Sequence, residues 1–240
     1  MGDQIRVGRY FTCAPNAQQA IDTVTRNEMY FAALPLVHPR ARREFSGRTT
    51  RAEPFTRSDL TLHSNVWSSN VVGCLSPWIN LDSNNHLVRQ ESEKAMKQEM
   101  AWASHISCQA VIAPPPTREC KNYARAIYSQ FSGFGNTSIY IHMPLLWPDD
   151  PEMGTDPWET WNDLRMQCEH HPSLLVALEI TPDLPDEETL SQWTCEPVRL
   201  VILPTSVFLT NSSGFPVLSK RHQNFLRDLF LHNVDVSISG

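Results

Sequence analysis

Short apolar runs recur along the whole chain and alternate with stretches patterned at helical spacing. Runs rich in β-branched and aromatic residues at 6–12, 30–37, 71–78, 110–114, 139–145, 174–180, 199–203 and 234–239 read as eight strands. Several are continuous rather than alternating (FAALPLV, LLVALEI, LVIL), the pattern of parallel strands covered on both faces. Between them, Met96, Met100, Ala103 and Ile106 form one helical stripe, and Tyr123, Ala126, Ile127 and Phe131 a second. Trp158, Trp161, Leu164 and Cys168 form a third, and Leu218, His222, Phe225, Leu226 and Leu229 a fourth. Each stripe reads as a face packed on a sheet. Thr56 to Asp59 fits a capping box, and Asp186, Glu187 and Glu188 load negative charge onto the start of a helix.

Strands alternating with helices predict an α/β fold of the TIM (β/α)8 type, a single domain over residues 1–240. Proline supports these strand ends: Pro77, Pro114 to Pro116, Pro144 and Pro204 fall where no ladder donor is needed. After the eighth strand the sequence stops, without a helix to cover strands eight and one. The expectation is a fragment truncated after that strand, with the barrel's last helix absent.

Composition narrows the class. The 240 residues carry a net charge of −6, which argues against a direct nucleic-acid binder. The N-terminus is polar and lacks an apolar leader segment; Arg6 stands where a myristoylation motif needs Ser or Thr. No apolar run approaches the ~20 residues of a membrane span. Six cysteines are scattered without a C-x-x-C pair, the pattern of reduced thiols in a cytoplasmic or nuclear protein. The sequons at Asn136 and Asn211 are then chance matches.

Candidate chemistry is sparse. In TIM barrels, catalytic groups sit at the C-terminal ends of the strands. Those ends here offer Cys13, His38, Trp78, Pro114, Pro144, Glu179, Thr205 and Ser239, of which only His38 and Glu179 suit acid–base work. Nine glycines in the whole chain leave no phosphate cradle, and no dinucleotide or nucleophile-elbow motif is present. His170 and His171 close a helix, a favourable place for cations. One reading is a divergent metal-dependent isomerase or hydrolase using His38 and Glu179.

Two surface segments point elsewhere. The stretch after strand two holds six arginines, at 40, 42, 43, 48, 51 and 57, within an acidic protein. It reads equally as a solvated loop or as a docking surface, since Arg forks pair with carboxylates at interfaces. After strand seven, PTSVFLTNSSGFP sets Phe215 between Gly214 and Pro216, a fixed turn that plugs the core or walls a peptide groove.

HPRARREF, TRSDLTL, VVGCLSPWI, VALEI-x-x-DLP and ILPTSVFLTNSSGFPVLSKRHQ together resemble the N-terminal barrel of the protein arginine N-methyltransferase 5 family. The resemblance runs in order from Gly8 to Gly240. It implies a barrel that is not itself catalytic: no catalytic, cofactor or metal residues belong to this segment. S-adenosyl-methionine and symmetric arginine dimethylation would belong to domains further along the parent chain. It implies docking of a WD-repeat propeller protein, with Arg40, Arg42 and Arg43 at that interface. It also implies contacts between neighbouring protomers of a homo-oligomer. A third implied partner is an acidic, Phe-containing peptide of substrate adaptors, with Asn211, Ser212, Ser213, Gly214 and Phe215 forming one wall of its groove. Familiar members carry two lysines where Ser212 and Ser213 stand, which weakens attraction to an acidic peptide by about 0–1 kcal/mol per exposed charge.

Overall fold

The computed structural model describes residues 7–10, 26, 31–36, 71–105, 108, 110–116, 120–131, 138–146, 156–167, 174–196, 198–210, 212, 216–231 and 235–239. Eight of its strands form one closed parallel ring. They are β1 (Val7–Tyr10), β2 (Phe31–Pro35), β3 (Val71–Cys74), β4 (Ala110–Ala113), β5 (Ser138–Pro144), β6 (Leu174–Glu179), β7 (Val198–Leu203) and β10 (Asp235–Ser239). Closure comes from β10, which pairs with β7 on one side and with β1 on the other, Val7 opposite Val236 and Tyr10 opposite Ser239. All eight expected strands are present and the fold is the expected TIM-type barrel.

Among the described residues, helices α1 (His86–His105), α2 (Cys120–Phe131), α3 (Pro157–Gln167), α4 (Glu187–Thr194) and α5 (Lys220–Phe230) pack outside. Two antiparallel strands, β8 (Phe208–Thr210) and β9 (Pro216–Leu218), form a hairpin between β7 and α5, separate from the ring. Here one expectation is corrected. Leu218 lies in β9 rather than on the helical stripe, because Ser219 caps α5, its Oγ accepting from the His222 N–H at 3.2 Å. The strand expected over 71–78 is also shorter. It ends at Cys74, where Ser76 turns to bond α1 and Pro77 offers no donor.

Alternation along the strands separates two cores. On the outer face Leu34, Val111, Ile141, Met143, Val176 and Leu178 meet the helix stripes, including Met96, Met100, Tyr123, Ile127, Trp161, Leu190, Trp193 and Phe225. The inner face is a separate cluster of Ala33, Val72, Cys74, Ala110, Ile112, Ala177, Leu200 and Ile202 that includes no helix residue, and this is the bore. Gly73 sits on the outer face of β3, where an added Cβ would come 2.9 Å from a Leu36 methyl, so any side chain there would force buried Leu36 to shift.

The outer core is locked by an aromatic knot. Trp158 meets the edge of Trp193 at 5.2 Å between centroids, and Trp161 stacks on Trp193 at 6.5 Å. Trp161 Nε1 donates to Glu196 Oε2 at 3.0 Å, and the Arg165 guanidinium meets the other Glu196 oxygen at 3.0 Å. That pairing satisfies a carboxylate whose side chain is only 5% exposed. Asp186 caps α4 by accepting from the Thr189 N–H at 2.8 Å, as its acidic start signal indicated; this bond holds its carboxyl below the usual carboxylate range.

Candidate functional site

Polar side chains gather at the mouth of the barrel, where the strands end. The sequence SIYIHMP alternates, sending Ile139, Ile141 and Met143 to the helices and Tyr140 and His142 to the bore. On β6 the same parity puts Val176 and Leu178 outside, with Ala177 and Glu179 inside. His142 Nε2 lies 2.6 Å from Glu179 Oε2. A carboxylate only accepts, so Nε2 carries the hydrogen. The side chains are 28% and 30% exposed, sunk in the mouth yet open to solvent.

Glu179 has a histidine partner in His142. His38, the other acid–base candidate of the sequence, lies outside the described residues, as do Arg40, Arg42, Arg43, His170 and His171. Among the described residues no group of three or more His, Cys, Asp or Glu converges as metal ligands. Sequence reasoning missed His142 by weighing only the last residue of each strand; the parity it shares with Tyr140 was the available signal.

A second polar lock holds the loop after β3. Ser76 donates to Glu99 twice, through its backbone N–H at 2.7 Å and its hydroxyl at 2.6 Å. Burial pushes the Glu99 carboxyl up to about 7 against the pull of both hydrogen bonds. Farther along, the Asn80 N–H donates to Ser92 Oγ at 3.0 Å, so this loop is tied to α1 at two places.

The third feature is the β8–β9 hairpin, which also leaves the mouth end because it follows β7. Its register pairs Phe208 with Leu218, Leu209 with Val217 and Thr210 with Pro216. Phe208 and Leu218 pack on the outer core, while Leu209 (57% exposed) and Val217 (36% exposed) face solvent as one apolar pair. Ser212 is exposed in the turn; Asn211, Ser213, Gly214 and Phe215 lie outside the described residues.

The hairpin leads directly into a fixed mount. Arg221 donates to Glu187 Oε1 and to the carbonyls of Leu184 and Pro185, clamping α5 to the loop before α4. Buried His222 donates from Nε2 to the Thr181 carbonyl at 3.0 Å, and its Nδ1 meets Ser219 Oγ at 2.6 Å. His222 was expected as a core-facing residue. It is that, and it also pins the helix start.

Comparison with known proteins places this architecture. The model of the family described as PRMT5 TIM barrel domain matches residues 28–240. Protein arginine N-methyltransferase 5 of Oryza sativa subsp. japonica is 42% identical over 224 residues, covering 88% of this chain and 34% of that protein. The protein of the same name from Xenopus laevis is 32% identical over 259 residues, covering 100% of this chain and 41% of that one. The chain thus spans about a third of the length of the rice relatives it matches. Among solved structures, a D-tagatose 3-epimerase-like protein superposes with TM-score 0.67 at 11% identity, covering 98% of this chain and 90% of that one. Endonuclease IV from Thermus thermophilus gives TM-score 0.64 at 11% identity, covering 98% and 92%. At that identity the likeness shows the barrel fold alone. The match over residues 28–240, together with the two methyltransferase relatives, carries the assignment: the chain belongs to the PRMT5 TIM barrel domain family.

Proposed function

We propose that this barrel is the docking platform of a protein arginine methyltransferase and takes no direct part in methyl transfer. In this reading S-adenosyl-methionine and the transfer step belong to the rest of the parent enzyme, whose targets are arginines on partner proteins. The barrel holds a WD-repeat protein through Arg40, Arg42 and Arg43, touches neighbouring protomers, and takes adaptor peptides along residues 211–215.

The observation that supports this reading best is the hairpin. It stands apart from the ring, presents Leu209 and Val217 to water, and is mounted through Arg221 and His222. A two-stranded ribbon is marginal by itself and needs such an anchor. An apolar pair held outward on a fixed ribbon suits an extended peptide with an aromatic anchor.

The test is a fluorescence-anisotropy titration with an acidic, Phe-containing peptide. Replacing Leu209 and Val217 together by Ser is expected to weaken binding about tenfold, one decade of Kd. The melting temperature should stay close to the parent's, because both residues are exposed. Unchanged affinity removes the hairpin from the docking surface. Charge reversal at Arg40, Arg42 and Arg43 probes the WD-repeat contact separately, by calorimetry against a purified propeller.

A further inference from the structure

Ala33, Val72, Ala110, Ile112, Leu200 and Ile202 form an apolar lining in the described part of the bore, and the His142–Glu179 pair stands at its open end. Small-ligand sites commonly have this build, with apolar walls and a few placed polar groups. Ala177 is the register partner of His142 on β6, so the imidazole has a small neighbour there.

The hydrogen bonding already present fixes what the pair has left to give. Nε2–H is committed to Glu179 Oε2. In the neutral ring Nδ1 then carries a lone pair, and neither Nδ1 nor Glu179 Oε1 has a hydrogen-bond partner among the described residues. What remains is acceptor capacity beside a carboxylate whose ion-pair partner among the described residues is a histidine, charged only when protonated. No described lysine or arginine pairs with it. Such a site wants a cation rich in N–H donors.

We propose that the mouth of the bore binds a guanidinium group, with Glu179 as the charge partner and His142 Nδ1 as the second acceptor. A divalent metal would require a third ligand, and no described cluster of three supplies it. A neutral polyol would leave the carboxylate uncompensated, whereas a guanidinium brings a planar fork of donors that matches it. Tyr140, one pleat deeper on the same strand and half-buried in the bore, adds an aromatic ring on which such a cation stacks. The net charge of −6 favours the approach of a cation. An arginine side chain of a bound protein segment is the natural source. The proposal rests on the dyad alone and stands whether or not the hairpin docks an adaptor.

The experiment uses the full chain with 15N-labelled histidine, reading the His142 ring nitrogens by NMR while N-acetyl-arginine amide is added into the millimolar range, the weak end of the affinity scale. A saturable shift at His142 is expected, about tenfold weaker in Glu179→Gln, and absent with the neutral isostere N-acetyl-citrulline amide. His142→Gln, read through the Glu179 carboxyl carbon, covers the case in which Glu179→Gln does not fold; it should bind arginine amide more weakly than the parent while keeping the charge dependence. A silent His142, an equal response to citrulline amide, or undiminished binding in Glu179→Gln overturns the assignment. So does a response to zinc alone without one to arginine amide, which would reassign the pair to a metal.

Discussion

The wall built from β5, β6, α3 and α4 and the ribbon built from β8 and β9 are made of similar residues put to opposite uses. In the wall, Trp161, Leu164, Leu190 and Trp193 vanish from solvent, and Trp161's polar edge is tied to Glu196, which Arg165 also pairs. In the ribbon, one face is anchored and the other leaves Leu209 and Val217 in water. The wall carries stability and has no freedom to change; the ribbon adds little stability and is free to meet another molecule.

The largest test of this contrast is Trp193→Ala. The side chain is fully buried between Trp158 and Trp161, so its loss should cost about 3–5 kcal/mol and lower the melting temperature sharply. If denaturant unfolding shows a loss no greater than that of the Leu209 and Val217 double replacement, the wall is not where stability lies.

A smaller effect of similar reach concerns Glu99 and pH. Its folded carboxyl stands at about 7, raised from 4.5 by burial, so the native state holds this proton more tightly than the unfolded chain does. The contribution is fully present below about 4.5 and is lost as pH rises through about 7, a swing of roughly 3 kcal/mol. Glu99→Gln should flatten that part of the stability–pH curve, measured as melting temperature from pH 4.5 to 8 in the two proteins. An unchanged slope would mean that Glu99 titrates alike in the folded and unfolded states.

The smallest expected effect falls on the ribbon's mount. His222→Ala removes the bonds to the Thr181 carbonyl and Ser219 Oγ and should cost about 1–3 kcal/mol. Hydrogen exchange should quicken at the first turn of α5 and in β9, leaving the β5 and β6 amides protected. Uniform acceleration across the barrel would show that ribbon and wall are one cooperative unit.

The barrel was legible in the sequence because its strands are covered on both faces and therefore read as unbroken apolar runs, while helices such as α1 and α3 show one apolar stripe. Proline marked the strand ends, as at Pro114 and Pro204. The hairpin's two strands were not legible: three residues are too few for any period, and Leu218 to His222 has helical spacing although Ser219 interrupts the helix. At the mouth, Glu179 was found by its place at a strand end. His142 escaped because its role depends on which neighbour its strand pairs with, and β5 beside β6 is a fact of three-dimensional register. The Ser76–Glu99 lock spans 23 residues and has no local signature.

The β8–β9 pairing shares no hydrogen-bond ladder with the ring. Lengthening or recolouring that ribbon therefore shifts no register in the barrel, and the price of a changed partner is confined to a few exposed side chains. Under the proposed docking role, a change of partner rewrites the ribbon's outer face and leaves the scaffold as it is.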